Sequence, residues 1–255
     1  MIIKTTITIL LFLIAYSGFI IHNVPSAWLI SRINPQLAPA HAQLSDPRGS
    51  AWKGSGQLLF NGTPLGRVTW NTSLWPLLDG HLEARLQLQG NSINAHGRLE
   101  ADKKQLLVTH LKGRADLALL AQLANLPPQA QGTLVANLTR VRLSQRGQLE
   151  EAQGTVDVHG TRLPDLGVDL GTLHLLLSPG SSVNIIHGTI SNNGGDLNIS
   201  GRIDLYSGTR YTLIAYLKPY PGSKNDPMRD AFAALLGSPD AQGRYRYTAS
   251  GRLAP

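Results

Sequence analysis

Cysteine is absent from the chain, which removes disulfides, thiolate nucleophiles and thiolate metal sites together. That absence fits an oxidising compartment, where stray thiols are a liability. Charge is scarce as well: Asp, Glu, Lys and Arg make up only 15% of the residues, while 26 glycines supply the tight turns that many short strands require. The formal excess of +7 is carried by Arg and Lys scattered singly, with Lys103-Lys104 as the one adjacent pair. No basic stripe interleaved with aromatics exists, so the composition carries no nucleic-acid footprint, although an anionic membrane surface or an acidic partner would suit it. Long apolar runs are missing everywhere except at the start.

Recognisable reaction motifs are missing too. There is no Gly-x-Ser-x-Gly elbow to present a nucleophile. Gly54-Ser55-Gly56 lacks the Gly-Lys-Ser/Thr that would cradle phosphates. The eight histidines are dispersed, with no His-x-x-x-His pair. His96 and His159 read as outward strand residues, and His187 as lying near a turn. Asp165 and Asp169 flank Gly167, where a solvated loop explains them better than a catalytic carboxylate pair. The sequence therefore predicts no catalytic, cofactor-binding or metal-binding residues, no cofactor, and no enzyme activity.

What is present first is Ile7–Ile21, ITILLFLIAYSGFII, inside a charge-free stretch from Thr5 to Ser31. Fifteen helical residues reach about 22 Å, short of the roughly 30 Å hydrocarbon core, but adding Thr5, Thr6 and the region to Trp28 gives a sufficient span. The rival is a cleaved signal peptide. Ala15 and Ser17 have suitable spacing, yet Phe19-Ile20-Ile21 continues directly beyond them, so an uncleaved anchor is expected. Lys4 and the amino terminus predict that this end is cytoplasmic and the bulk lies outside. Residues 1–4 then form a cytoplasmic tip, 5–28 a transmembrane anchor, 29–47 a juxtamembrane linker, and 48–255 a periplasmic β-domain, any subdivision of which is expected near 127–128. Pro25–Ile33 reads equally as a short interfacial helix bearing Trp28 or as a linker helped by Pro35 and Pro39.

The body alternates with period two. Leu82, Ala84, Leu86 and Leu88 oppose Glu83, Arg85 and Gln87; Ile93 to Leu99, Leu197 to Leu205 and Tyr245 to Leu253 behave in the same way. Strands with one wet and one dry face belong to antiparallel sheets, and Asn61-Gly62 and Asn193-Gly194 offer turn residues between them. Helical signals are few. Asp226–Leu236 has an N-cap, a first-turn proline and the stop Gly237; Leu117–Leu126 is apolar at helical spacing; Trp75–Leu78 suggests one turn. The fold class expected is mainly β: a single transmembrane helix, then a curved antiparallel sheet or sandwich-like periplasmic domain with a few short helices.

Arg48-Gly49-Ser50-Ala51-Trp52-Lys53-Gly54, Leu65-Gly66-Arg67-Val68-Thr69-Trp70 and Trp75-Pro76-Leu77-Leu78-Asp79-Gly80 follow the anchor in order. Together with Leu236-Gly237, Asp240-Ala241-Gln242-Gly243-Arg244-Tyr245-Arg246-Tyr247 and Gly251-Arg252-Leu253, this series resembles the protein N family of the bacterial type II secretion system over nearly the whole chain. The resemblance implies an inner-membrane accessory or assembly subunit, with a periplasmic domain that contacts other secretion subunits during export of folded proteins across the outer membrane. It carries over no catalytic set. Trp52, Trp70 and Trp75 are candidate partner-binding residues, with packing in the β-core as the alternative for Trp52 and Trp70. A competing reading is a lipid-binding or lipid-transfer groove of AsmA-like style, which adds phospholipid to the inner membrane and secretion subunits as a candidate partner.

Overall fold

The computed structural model describes residues 23–73, 76, 79–102, 105–123, 130–144, 148–164, 167–180, 185–206, 210–221 and 226–252. The run Ile7–Ile21, and with it most of the 5–28 anchor, lies outside the described residues, as do Trp75, Leu77, Leu78 and Pro127-Pro128. Among the described residues, no helix is long and apolar enough to cross a membrane.

Among the described residues, thirteen strands follow one another in an antiparallel meander: β1 (Ala42–Gly49), β2 (Lys53–Phe60), β3 (Thr63–Ser73), β4 (Leu82–Gln89), β5 (Ile93–Ala101), β6 (Gln105–Asp116), β7 (Gln131–Ser144), β8 (Leu149–Leu163), β9 (Val168–Pro179), β10 (Ile185–Asn193), β11 (Leu197–Tyr206), β12 (Arg210–Pro219) and β13 (Tyr245–Arg252). Each strand pairs with its sequence neighbour, and β1 and β13 are the two edges. Curved sheet and sandwich give the same alternation; the described strands make one continuous sheet. β6 pairs with β7 across the 127–128 region, so the sheet runs on past it.

Register sorts the side chains into two faces, because successive residues of a strand point to opposite sides. Leu44, Leu58, Trp70, Leu86 and Leu99 lie on one face, which continues through Val108, Val141, Ala152, Leu175, Ile190, Ile203, Leu213 and Ala249. Most of these are half-buried, and among the described residues no side chain is below 2% exposure. This is the signature of one layer with partial covers.

The best-covered part is at β1–β4. A helix, α1 (Ser26–Leu37), lays Leu29, Ile30, Ile33 and Leu37 over Leu44, Leu58, Val68, Trp70 and Leu86. Burying one such aliphatic side chain is worth about 1.5–3 kcal/mol, which offsets the hydrogen bond that Pro35, inside the helix, cannot donate. Of the two readings of Pro25–Ile33, the helix forms, and it continues four residues further. A 3-10 turn at Ala38–Ala40 leads into β1, so ordered structure occupies much of the 29–47 span and precedes residue 48.

A second cluster unites Ala152, Leu177 and Ile186 with Leu138, Val156, Leu175 and Leu205 on β7–β11. Two shorter helices add local cover. Helix α2 (Leu117–Leu123) follows β6, and helix α3 (Asp226–Leu236) precedes β13, with the Phe232 ring set edge-on to Tyr245 at 5.6 Å. The α3 bounds and the stop at Gly237 (φ 84°) coincide with the sequence signals. Asn61-Gly62 makes the β2–β3 turn with both residues at positive φ. At the β10–β11 turn the positive-φ pair is Gly194-Gly195, one residue beyond the expected Asn193-Gly194.

Candidate functional site

The tryptophans sort by cover. Trp70 is 6% exposed beneath α1, and its indole N–H donates to the carbonyls of Ser50 (3.2 Å) and Ala51 (3.1 Å). Its ring lies over Gly54, where a Cβ would sit 2.7 Å from Trp70 Cζ2. Glycine at 54 is thus the space into which the indole folds. Gly66 is another forced position: φ is +157°, and a Cβ would come 2.3 Å from the Gln89 carbonyl oxygen. Trp52 is half-buried in the β1–β2 turn, where its carbonyl accepts the Thr72 N–H at 2.6 Å. Trp75 lies outside the described residues. Of the two described candidates, Trp70 is buried beneath α1 and Trp52 is half-buried at the sheet's margin.

The polar face holds what linear reading missed. Lys53, Asn71, Arg85 and Arg98 are successive partners on β2–β5, and the row continues through Thr109 and Arg140 to Gln153 on β8. At about 4.8 Å per strand the row spans roughly 29 Å. Beside it runs Arg48, Ser55, Thr69, Gln87, His96 and Lys112. Cations that are dispersed along the chain become neighbours because the meander is in register.

The β1–β6 part of this face bounds a concavity of about 690 Å³, whose lining includes Arg48, Lys53, Arg85, His96, Arg98 and His110 and no carboxylate. His110 stands at φ 52° in the β5–β6 bulge. Arg85 lies directly opposite Arg98. Like charges so placed repel. Around the rim, Glu83 pairs with Arg98 at 3.4 Å, and Asp46 takes both Arg48 (3.2 Å) and Arg67 (3.0 Å). The hydrogen bond from Arg67 holds the Asp46 carboxyl below its usual range. Further along, Glu151 neutralises Arg140 (3.4 Å) and Arg142 (2.7 Å). Among the described residues, Lys53 and Arg85 have no ion pair.

Two His–Asp contacts also cross strands on the polar face: His174 with Asp157 at 2.7 Å and His187 with Asp204 at 2.6 Å. His187 is a strand residue of β10, two positions from the strand's start at Ile185; a partner one strand away leaves no trace in local sequence. His96 and His159 are exposed strand residues, as expected. Asp169, expected in a solvated loop, is instead a half-buried residue of β9 that accepts from the Gly171 N–H (2.7 Å) and pairs with Arg162 (3.3 Å) directly across on β8, while Asp165 lies outside the described residues. Among the described residues, no group of three His, Cys, Asp or Glu side chains is placed to hold a metal ion.

Fold and face together define a class: an open, amphipathic, single-sheet β-meander that presents surfaces. Residues 40–248, from the turn before β1 into β13, match the family described as "Type II secretion system (T2SS), protein N", and the chain belongs to that family. The type II secretion system protein N of Vibrio cholerae serotype O1 is 26% identical over 238 residues, covering 87% of this chain and 89% of that protein. No solved structure matches.

Proposed function

We propose that this protein is an inner-membrane subunit of the type II secretion system, anchored once through the part of the charge-free stretch that begins at Thr5 and ends before Val24, with its amino end cytoplasmic and its sheet in the periplasm. Its role there is assembly: the sheet contacts other subunits of the machine, and no reaction is assigned to it. The observation that carries the reading is the family match extending from before β1 into β13, so that what is shared with protein N is the whole sheet. The charge-free amino-terminal stretch supports the anchor, and Lys4 supports its orientation. The test is isolation of the membrane-extracted secretion complex through a different subunit. The chain is expected to co-purify in fixed proportion; its recovery alone, in fractions lacking every other subunit, would count decisively against the role.

One observation favours a second reading. The apolar face is only half-buried over much of β5–β12, as would suit contact with acyl chains as well as with protein. Phospholipid retained by the purified protein through denaturing mass spectrometry would support it, and lipid-free protein would dispose of it.

A further inference from the structure

We infer that the concavity on the polar face of β1–β6 is a binding site for the phosphate of an anionic phospholipid headgroup at the membrane surface, held chiefly by Lys53 and Arg85. This inference rests on the proposed anchor for its choice of a lipid source. Three observations carry it.

The first is charge without compensation. Arg48, Lys53, Arg85 and Arg98 line one concavity with His96 and His110, and the lining holds no carboxylate. Glu83 and Asp46 occupy Arg98 and Arg48 from the rim, and Glu100 lies opposite Glu83 one row nearer the strand ends. Lys53 and Arg85 remain without an ion pair among the described residues, and Arg85 faces Arg98 across the strand pair. A like-charge pair in direct register is destabilising in isolation and becomes favourable when one anion bridges it.

The second is the set of neutral groups beside the cations. Ser55, Thr69, Asn71 and Gln87 lie on the same face and line the same concavity, together with the apolar Trp70 and Leu86, so hydroxyl and amide groups stand beside the cations. A multi-oxygen anion accepts from both kinds of donor at once.

The third is position. The chain enters the described residues at Asn23, and the Val24 carbonyl accepts the Ala51 N–H at 2.8 Å while Pro25 bridges Ser50. The last residues of the 5–28 span expected as anchor are thus fastened to the β1–β2 turn, the turn flanked by Arg48 and Lys53. Just beyond that junction, on the helix that covers the opposite, apolar face, Trp28 is 53% exposed, with the Arg32 guanidinium 5.7 Å from its ring centre. Indole and guanidinium are groups that settle among lipid headgroups. The cationic concavity therefore opens within a few residues of where a bilayer surface would lie. The phosphate of an anionic phospholipid is the anion available there at high density.

The test uses the full-length chain in non-ionic detergent, offered short-chain phosphatidylglycerol, short-chain phosphatidylcholine or inorganic phosphate, with bound species counted by native mass spectrometry. The expected result is a roughly thirtyfold preference for phosphatidylglycerol over phosphatidylcholine, as two basic groups near a lipid surface should confer. In the Lys53→Gln/Arg85→Gln double variant that preference should collapse to near unity, and in an Arg246→Gln/Arg252→Gln control on β13 it should persist. The double variant should melt no lower than the parent, since it removes repulsion; this separates loss of the site from loss of the fold. Equal retention of both lipids, or a preference indifferent to the double substitution, would overturn the inference and point to acyl chains on the apolar face. Inorganic phosphate bound as tightly as phosphatidylglycerol would overturn the lipid source. Alkaline extraction of cell membranes tests the anchor separately: release of the chain would refute the anchor while leaving the measured headgroup preference to stand or fall alone.

Discussion

Trp70 shows what a single residue can and cannot disclose. Its alternation with Thr69 and Asn71 placed it on a strand, but a tryptophan facing a core and one facing a partner alternate identically. What decides is α1, laid over it from residues far earlier in the chain. Trp70→Ala should cost about 3–5 kcal/mol in urea unfolding, as for other buried aromatics. Trp70→Phe keeps most of the packing but forfeits the indole donor, and should cost nearer ~1 kcal/mol. Asp46 allows a second prediction at this scale. The Arg67 hydrogen bond lowers its carboxyl below the usual 3.8. A group whose folded pKa lies beneath its unfolded one stabilises the fold above the unfolded value and stops doing so as pH falls through the folded value. The Asp46 carboxyl resonance should therefore titrate below pH 3.8, and Arg67→Gln should move the midpoint back towards it. A midpoint at the ordinary value in the parent would show that the contact does not persist in solution.

Elements were more legible than residues wherever their signals are local. The strands around 82–89, 93–101 and 197–206 follow directly from two-residue periodicity, and Asp226–Leu236 from its proline and glycine punctuation. The segment before β1 was harder. Pro35 and Pro39 argue for a linker, whereas apolar spacing at Ile30, Ile33 and Leu37 argues for a helix, and only the existence of a sheet to cover settles the contest. Asn34 then acquires a task invisible in sequence. Its amide donates to the Leu44 carbonyl at 2.9 Å and accepts the Leu44 N–H at 2.8 Å, so the outer side of edge strand β1 is satisfied by a side chain. Together with the bulge at Asp46-Pro47, this blunts an edge that could otherwise recruit a foreign strand. Asn34→Ala should destabilise the protein by about 1–3 kcal/mol, leaving two backbone groups without their partner, and should speed hydrogen exchange at the Leu44 amide. Unchanged exchange at Leu44 would mean that the clamp contributes nothing.

For the whole molecule, amphipathicity was readable and adjacency was not. Strands such as 82–89 and 197–206 announce which residues are wet, but the row from Lys53 through Arg85 and Arg98 exists only after four strands have been set side by side in one register. Sequence scatter of the cations concealed a concentrated field, and the same register that lines up the apolar face lines up the charges behind it. The molecule therefore has two extended surfaces and two edges with which to meet other components, consistent with membership of the protein N family. Trp52, in the turn beside the expected membrane junction, and Tyr247, 42% exposed on edge strand β13, lie at opposite ends of the meander. The most direct measurement replaces each in turn with a photoreactive residue in the full chain, irradiates intact secreting cells and identifies the captured species. An assembly subunit should give defined crosslinks to other type II secretion components from at least one of the two ends. Crosslinks to no secretion component from either end, in cells where the substituted chain still supports secretion, would contradict a role exercised through contacts of the sheet.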